Sequence, residues 1–262
     1  MQKDTLTTCL ASLVLGAFGF FFRWLQLDNA FETETGLAVT GSLWHTTMFL
    51  VCLVAVLFFA VAVILMRMRR HPFNRSCTAF AQENVLLFQV IVIMFSLLVA
   101  FSGVLILKNA AQHLYPTIHR LLAAAAVVTA ISTTVLALRL KTNNPEGKLD
   151  IRCLTSAVPV VFSCFWLIIS YHENANNPTI WAYAIYILTI SGILISFFLL
   201  AGYFFEKARP LALLFTAPLT AFFCITSMAD AHELGIRLLL IGLAGILLVY
   251  TFLVVQVGNA KH

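Results

Sequence analysis

Charge is what this sequence has least of: Asp, Glu, Lys and Arg make up only 10% of its 262 residues, against about 25% in a soluble domain. A chain so poor in charge, with 61% hydrophobic residues, cannot present a water-solvated surface. That excludes an ordinary soluble fold and leaves lipid as the solvent. The charge that is present gives a net +5. It sits in short loops between apolar runs, where membrane topology accounts for it, and a nucleic-acid partner is not expected.

Other absences narrow the chemistry. The six cysteines (Cys9, Cys52, Cys77, Cys153, Cys164 and Cys224) form no C-x-x-C pair and avoid the expected external loops. Free thiols are expected, rather than disulfides or structural zinc. There is no G-x-S-x-G, Walker A, Rossmann glycine pattern or H-E-x-x-H, so no catalytic, cofactor-binding or metal residue is assigned by motif. Ionisable residues are nearly missing from the middle of the apolar runs. The polar residues there are neutral: Gln89, Ser96, Thr129, Ser132, Thr133, Thr134, Ser163, Thr189, Ser191, Ser196, Thr216 and Thr220. Embedded carboxylates and histidines mark proton and ion pathways, so their absence speaks against a proton-coupled carrier. Ten-residue alternating segments, the mark of a membrane β-barrel, are missing too.

Eight apolar segments are present, each near the length of about 20 residues that a membrane helix needs. They cover about 5–25, 43–65, 85–107, 119–140, 153–171, 180–204, 211–228 and 236–256. The first is too long for a signal peptide and ends in Phe20-Phe21-Phe22-Arg23-Trp24, so it reads as a retained helix. The expected fold is an all-α polytopic transmembrane bundle forming one integral membrane domain, residues 1–262. With the N-terminus inside, twelve of the sixteen Lys and Arg residues fall on the cytoplasmic side. That side then holds the run Arg67-Met68-Arg69-Arg70-His71, the loop of Arg139 to Arg152 with its turn at Asn143-Asn144-Pro145-Glu146-Gly147, and Lys207 with Arg209. The positive-inside rule therefore predicts a multi-pass membrane protein with both termini in the cytoplasm. Trp24, Trp44 and Trp181 mark the external boundary. Pro159 and Pro218 lie inside spans and should bend the fifth and seventh helices.

Similar landmarks recur in the two halves. His113, Ile118, Arg120, Leu121 and Leu122 open the fourth span; His232, Ile236, Arg237, Leu238 and Leu239 open the eighth. Trp44 and Trp181 open the second and sixth, which close on Arg70-His71-Pro72 and Ala208-Arg209-Pro210. These pairs suggest a parallel 4+4 repeat with halves 1–140 and 152–262.

Histidine and acid gather at one set of span ends. His45, His113, His119, His172 and His232 fall at expected external ends, as do Asp28, Glu32, Glu34, Glu173, Asp230 and Glu233. External loops need polar residues and exclude Lys and Arg, so part of this enrichment is topological. His113, His172, Glu173, Asp230, His232 and Glu233 form the candidate external polar cluster, since His with carboxylate is a ligand set for zinc-like ions. Arg23, Arg120 and Arg237, just inside the same ends, are placed either to snorkel to the interface or to pair with these acids.

Phe31-Glu32-Thr33-Glu34-Thr35-Gly36-Leu37 after the first span resembles part of a known family. So do Phe165-Trp166-Leu167, Tyr171, Asn177-Pro178, Tyr183, Ala201-Gly202-Tyr203-Phe204 and Arg209-Pro210. The resemblance is to uncharacterised multi-spanning membrane proteins of clostridial-type Firmicutes. It implies a bacterial plasma membrane and no activity. Three roles fit what the sequence holds: a non-enzymatic transporter or transport component, an anchor subunit of a larger complex such as a quinone-linked one, or an enzyme acting on a lipid-linked substrate at the external face. For the enzyme, His113, His172 or His232 must meet Asp230 or Glu233 in one pocket. The bilayer is the one partner the sequence names; cofactor, ligand and protein partners are unknown from it.

Overall fold

The computed structural model describes residues 2–32, 37–39, 41–68, 85–113, 115–141, 151–175, 177–230 and 232–256. Residues 33–36 of the first loop, the basic run beyond Met68, Cys77 and the turn at 143–147 lie outside the described residues. Eight α-helices account for nearly all of the rest: α1 (Gln2–Asn29), α2 (Leu43–Met68), α3 (Val85–Asn109), α4 (Pro116–Leu138), α5 (Ile151–Asn174), α6 (Ile180–Phe204), α7 (Pro210–Ser227) and α8 (Leu234–Gln256). All eight are long and apolar enough to cross a bilayer. Each span departs from its expected limits by a few residues at most, because apolar length sets where a helix must satisfy its own backbone. The five described cysteines are free thiols.

The helices alternate in direction. At one end, side chains from the C-terminus of α1 meet the start of α2, Gln26 Nε2 standing 2.8 Å from His45 Nδ1. At that same end Asn109, closing α3, donates to Glu233 before α8 at 3.1 Å. At the other end Gln89 of α3 donates to the carbonyl of Ala137 in α4 at 2.9 Å, and Cys153 of α5 to Phe204 of α6 at 2.9 Å. We call the first the histidine end and the second the basic end.

Six helices close a ring. α3 packs on α4, α4 on α5, α5 on α6, α6 on α7, α7 on α8, and α8 returns to α3. The α1–α2 hairpin lies outside this ring, seated on α7. α7 and α8 are therefore the most interior helices and α2 the most lipid-exposed. Pairings within the two sequence halves differ: α6 runs along α7, whereas α2 packs on α1 and α7 and makes no comparable contact with α3.

Glycine sets two of the seams. A Cβ on Gly19 would stand 2.2 Å from Thr226 Oγ1 and 3.0 Å from the Phe222 ring, so α1 approaches α7 only because that atom is missing. At Gly245, a Cβ would meet the Phe95 ring of α3 at 2.4 Å. Close approach through small residues is the usual way for helices to gain packing where lipid is as apolar as leucine. Most of the mid-bundle hydroxyls are bound within the fold, Thr216 Oγ1 being buried without a partner among the described residues. Thr129 and Ser163 donate to Ala125 and Pro159 one turn back, Ser96 pairs with Thr133 at 2.9 Å and Ser196 with Thr220 at 3.0 Å. Bonds of this kind add only about 0.6 kcal/mol each in membranes, so packing carries the larger share. Pro159 and Pro218 both sit inside continuous helices, the Ser163 hydroxyl taking up the Pro159 carbonyl.

Candidate metal centre at the histidine end

Local chain geometry brings the polar residues of the histidine end together. α3 ends in a 3-10 turn, Ala110–Gln112, after which His113 is extended (φ −84°, ψ 157°). Pro116 then opens α4 at its first turn, a position that suits the fixed φ of proline and its missing N–H. The turn folds His113 back over His119, and the two imidazoles stack with centroids 3.6 Å apart and planes 15° from parallel. α5 runs on to Asn174, which carries Glu173 to His119. α7 stops at Ser227. A corner follows, closed by Asp230 N–H to Ser227 O (3.1 Å) and His232 N–H to Asp230 O (2.7 Å), and it holds Asp230, His232 and Glu233 over the ring.

These residues border one cavity of about 310 Å³. Leu122, Trp166 and Ile169 supply its apolar wall; His113, His119, Glu173, Asp230, His232 and Glu233 supply most of its polar one. Five of the six members of the expected cluster thus face a common space. The sixth, His172, is exposed and packs edge-on against Tyr115 at 5.4 Å. Helix geometry separates it from Glu173: adjacent residues point about 100° apart, so α5 can aim only one of them inward. His119 takes its place, a residue the sequence marks as external without marking it as part of the cluster.

Within the cavity the groups are paired. His113 Nε2 lies 3.1 Å from Glu233 Oε1, and His119 Nε2 lies 2.5 Å from Glu173 Oε1. His232 Nε2 stands 3.6 Å from Asp230 Oδ2 and 3.2 Å from Ser227 Oγ. Its ring rests on Tyr186 at 4.3 Å, whose hydroxyl accepts from Trp166 Nε1 at 3.0 Å.

One polar atom is left over. His119 is 5% exposed, and its Nδ1 is buried without a hydrogen-bond partner. An unsatisfied buried polar atom costs about 1–3 kcal/mol. Ligand atoms of His113, His119 and Glu173, from three different segments, all lie within 4.8 Å of one another. Tetrahedral ligands on zinc sit about 3.3 Å apart, given bonds near 2.0–2.1 Å. Closing that difference requires a side-chain rotation, one stacked imidazole turning to bring its nitrogen round. Two His and one Glu, with further acid and base groups beside them, match the ligand type of hydrolytic zinc centres.

Behind the cavity lies the group that fixes the corner in place. Arg23 of α1 is fully buried. Its Nε donates to Asp230 Oδ1 at 2.7 Å. Its other nitrogens donate to Gln26 Oε1 at 2.8 Å and to the carbonyls of Trp181 and Ala182 at 3.0 and 2.8 Å. Of the two placements open to it, Arg23 pairs inward instead of snorkelling. His45 extends the network from Gln26 and stacks on Trp181 at 5.3 Å. No spacing in the sequence links Arg23 to Asp230; the one signal was a basic residue inside an apolar span end.

Comparison with family models, curated proteins and solved structures finds no match to this chain.

Proposed function

We propose that this integral membrane protein is an enzyme of the outer membrane–water boundary. Its centre is a zinc-class ion held by His113, His119 and Glu173, and it hydrolyses an amphipathic substrate that enters the cavity from the lipid surface. The observation that carries the reading is the gathering of these three ligand types within 4.8 Å around a cavity, one of them with a buried, unpartnered ring nitrogen. A bound ion would lower the pKa of a coordinated water toward neutrality. Such a water would be the nucleophile for hydrolysis of an ester or amide, and His232, which Asp230 and Ser227 hold in place, would take its proton and return it to the departing alcohol or amine as the acyl bond breaks. Loop charge supports an outward-facing histidine end, and the resemblance to clostridial-type proteins supports a bacterial plasma membrane.

A transport role needs a polar path through the bundle. The hydroxyls of Thr129, Ser163 and Thr189 are instead taken up by carbonyls, and Ser196 and Thr220 bond to each other. That favours the end-of-bundle centre over passage between halves.

The test is metal binding by the purified full-length chain in detergent. Cobalt titration followed by its visible absorption is expected to reach one ion per chain. His119→Ala and Glu173→Ala should abolish the band while circular dichroism stays helical. A wild-type chain that binds no more cobalt or zinc than His119→Ala would refute the proposal.

A further inference from the structure

The basic end carries a second feature, in no contact with the histidine centre. A groove of about 730 Å³ runs between α5 and α6. Ala157, Val160 and Val161 form one wall; Phe198, Ala201 and Gly202 form the other. Its rims, Val161 and Phe198, are 68% and 64% exposed, so the groove opens onto the lipid-facing surface. Small residues leave its floor unfilled. An acyl chain fits such a furrow, but any bilayer supplies acyl chains. The selectivity lies at the mouth.

Lys207 and Arg209 line the same groove. Both are exposed, and among the described residues neither makes an ion pair or a side-chain hydrogen bond. The backbone holds them there by a defined turn. α6 closes with Phe205 N–H bonding to Ala201 O. Glu206 then takes a left-handed conformation, φ 57°, and Lys207 N–H bonds back to Gly202 O at 2.7 Å. This is the Schellman closure, in which the second residue past the cap bonds to the third-last helical carbonyl. It brings the Lys207 carbonyl so near α6 that a Cβ on Gly202 would stand 3.1 Å away. Pro210 starts α7 immediately afterwards. Two cations with no side-chain partner among the described residues therefore stand at one end of an apolar furrow, which is the complement of a single anionic amphiphile.

We propose that this groove binds one anionic phospholipid of the leaflet at the basic end. One acyl chain lies along Ala157 and Gly202, and the phosphate sits between Lys207 and Arg209. The site is independent of the metal centre.

The test uses the full-length chain in micelles and native mass spectrometry. Dioleoyl phosphatidylglycerol and dioleoyl phosphatidylcholine are titrated in competition, with glycerol phosphate as a soluble headgroup. The expected result is a preference of tenfold or more for phosphatidylglycerol, since each basic residue contributes about 1 kcal/mol of attraction. Lys207→Gln with Arg209→Gln, both at exposed positions, is expected to remove that preference roughly tenfold or more. Ala157→Phe is expected to block the furrow and weaken phosphatidylglycerol binding with both cations intact, its fold checked by thermal melting. His119→Ala is expected to change nothing here. Equal retention of the two lipids by the wild-type chain, an unchanged preference in the Gln variant, or displacement by glycerol phosphate at concentrations equal to the lipid would each overturn the proposal.

Discussion

Arg23 and Asp230 meet at 2.7 Å across 207 residues of sequence, the arginine fully buried and the aspartate side chain 8% exposed. Burying such a pair gains little over apolar packing, because desolvation offsets the attraction. Removing one partner is costly, because the other charge stays behind. Arg23→Met is therefore expected to destabilise the fold by about 3–5 kcal/mol. Asp230→Asn, which keeps an acceptor for the guanidinium, should cost less. Denaturant unfolding in micelles checks the ranking, and equal losses for the two variants would mean that the charge on Asp230 is not what Arg23 serves.

Glu233 touches His113 and is not one of the three convergent ligand residues. Its role in the proposed centre is to orient His113. A carboxylate that holds a ligand histidine in position is worth about 10–100-fold in metal affinity. Glu233→Gln is expected to weaken cobalt binding by roughly that factor without abolishing it, in contrast to His119→Ala. Isothermal titration separates the two outcomes.

The α1–α7 seam depends on Gly19. Adding a methyl there drives it into Thr226 Oγ1, and overpacking of this size costs about 1–3 kcal/mol. Gly19→Ala should lower the melting temperature. Thr226→Ala in the same chain should restore part of it, since neighbouring substitutions that share one space do not add.

Glu206 is the only described non-glycine residue with positive φ. A left-handed conformation costs an L-residue about 1–2 kcal/mol, which glycine avoids. Glu206→Gly is expected to stabilise the chain by about 1 kcal/mol. Thermal melting checks the sign, and a loss of stability would show that the Glu206 side chain contributes more than its backbone strain removes.

Architecture was legible because lipid imposes it residue by residue: apolar length fixed the eight spans, and nothing distant was needed to read them. Assembly of the centre was not legible to the same degree. His119 and Glu173 are 54 residues apart, and Asn109 and Glu233 are 124 apart. Which residues meet depends on how each helix is rotated about its axis, and that follows from three-dimensional contacts such as α3 on α8. His172 and Glu173 show the limit clearly. Both lie at the right depth, but only the rotation of α5 decides which one faces the cavity. Arg23 was visible as a charge out of place, and the fold alone identifies its partner.

The buried arginine also sets an order of events during synthesis. α1 leaves the ribosome before α7 and α8, and the carboxylate that neutralises its guanidinium is made 207 residues later. At 5–20 residues per second this is a wait of roughly 10–40 s. Throughout it α1 carries a cation without the acid that pairs with it in the finished fold, so the Arg23–Asp230 contact between α1 and the α7–α8 corner closes only once that corner has been made. A chain truncated before Asp230 leaves the buried Arg23 of α1 without the acid that receives it.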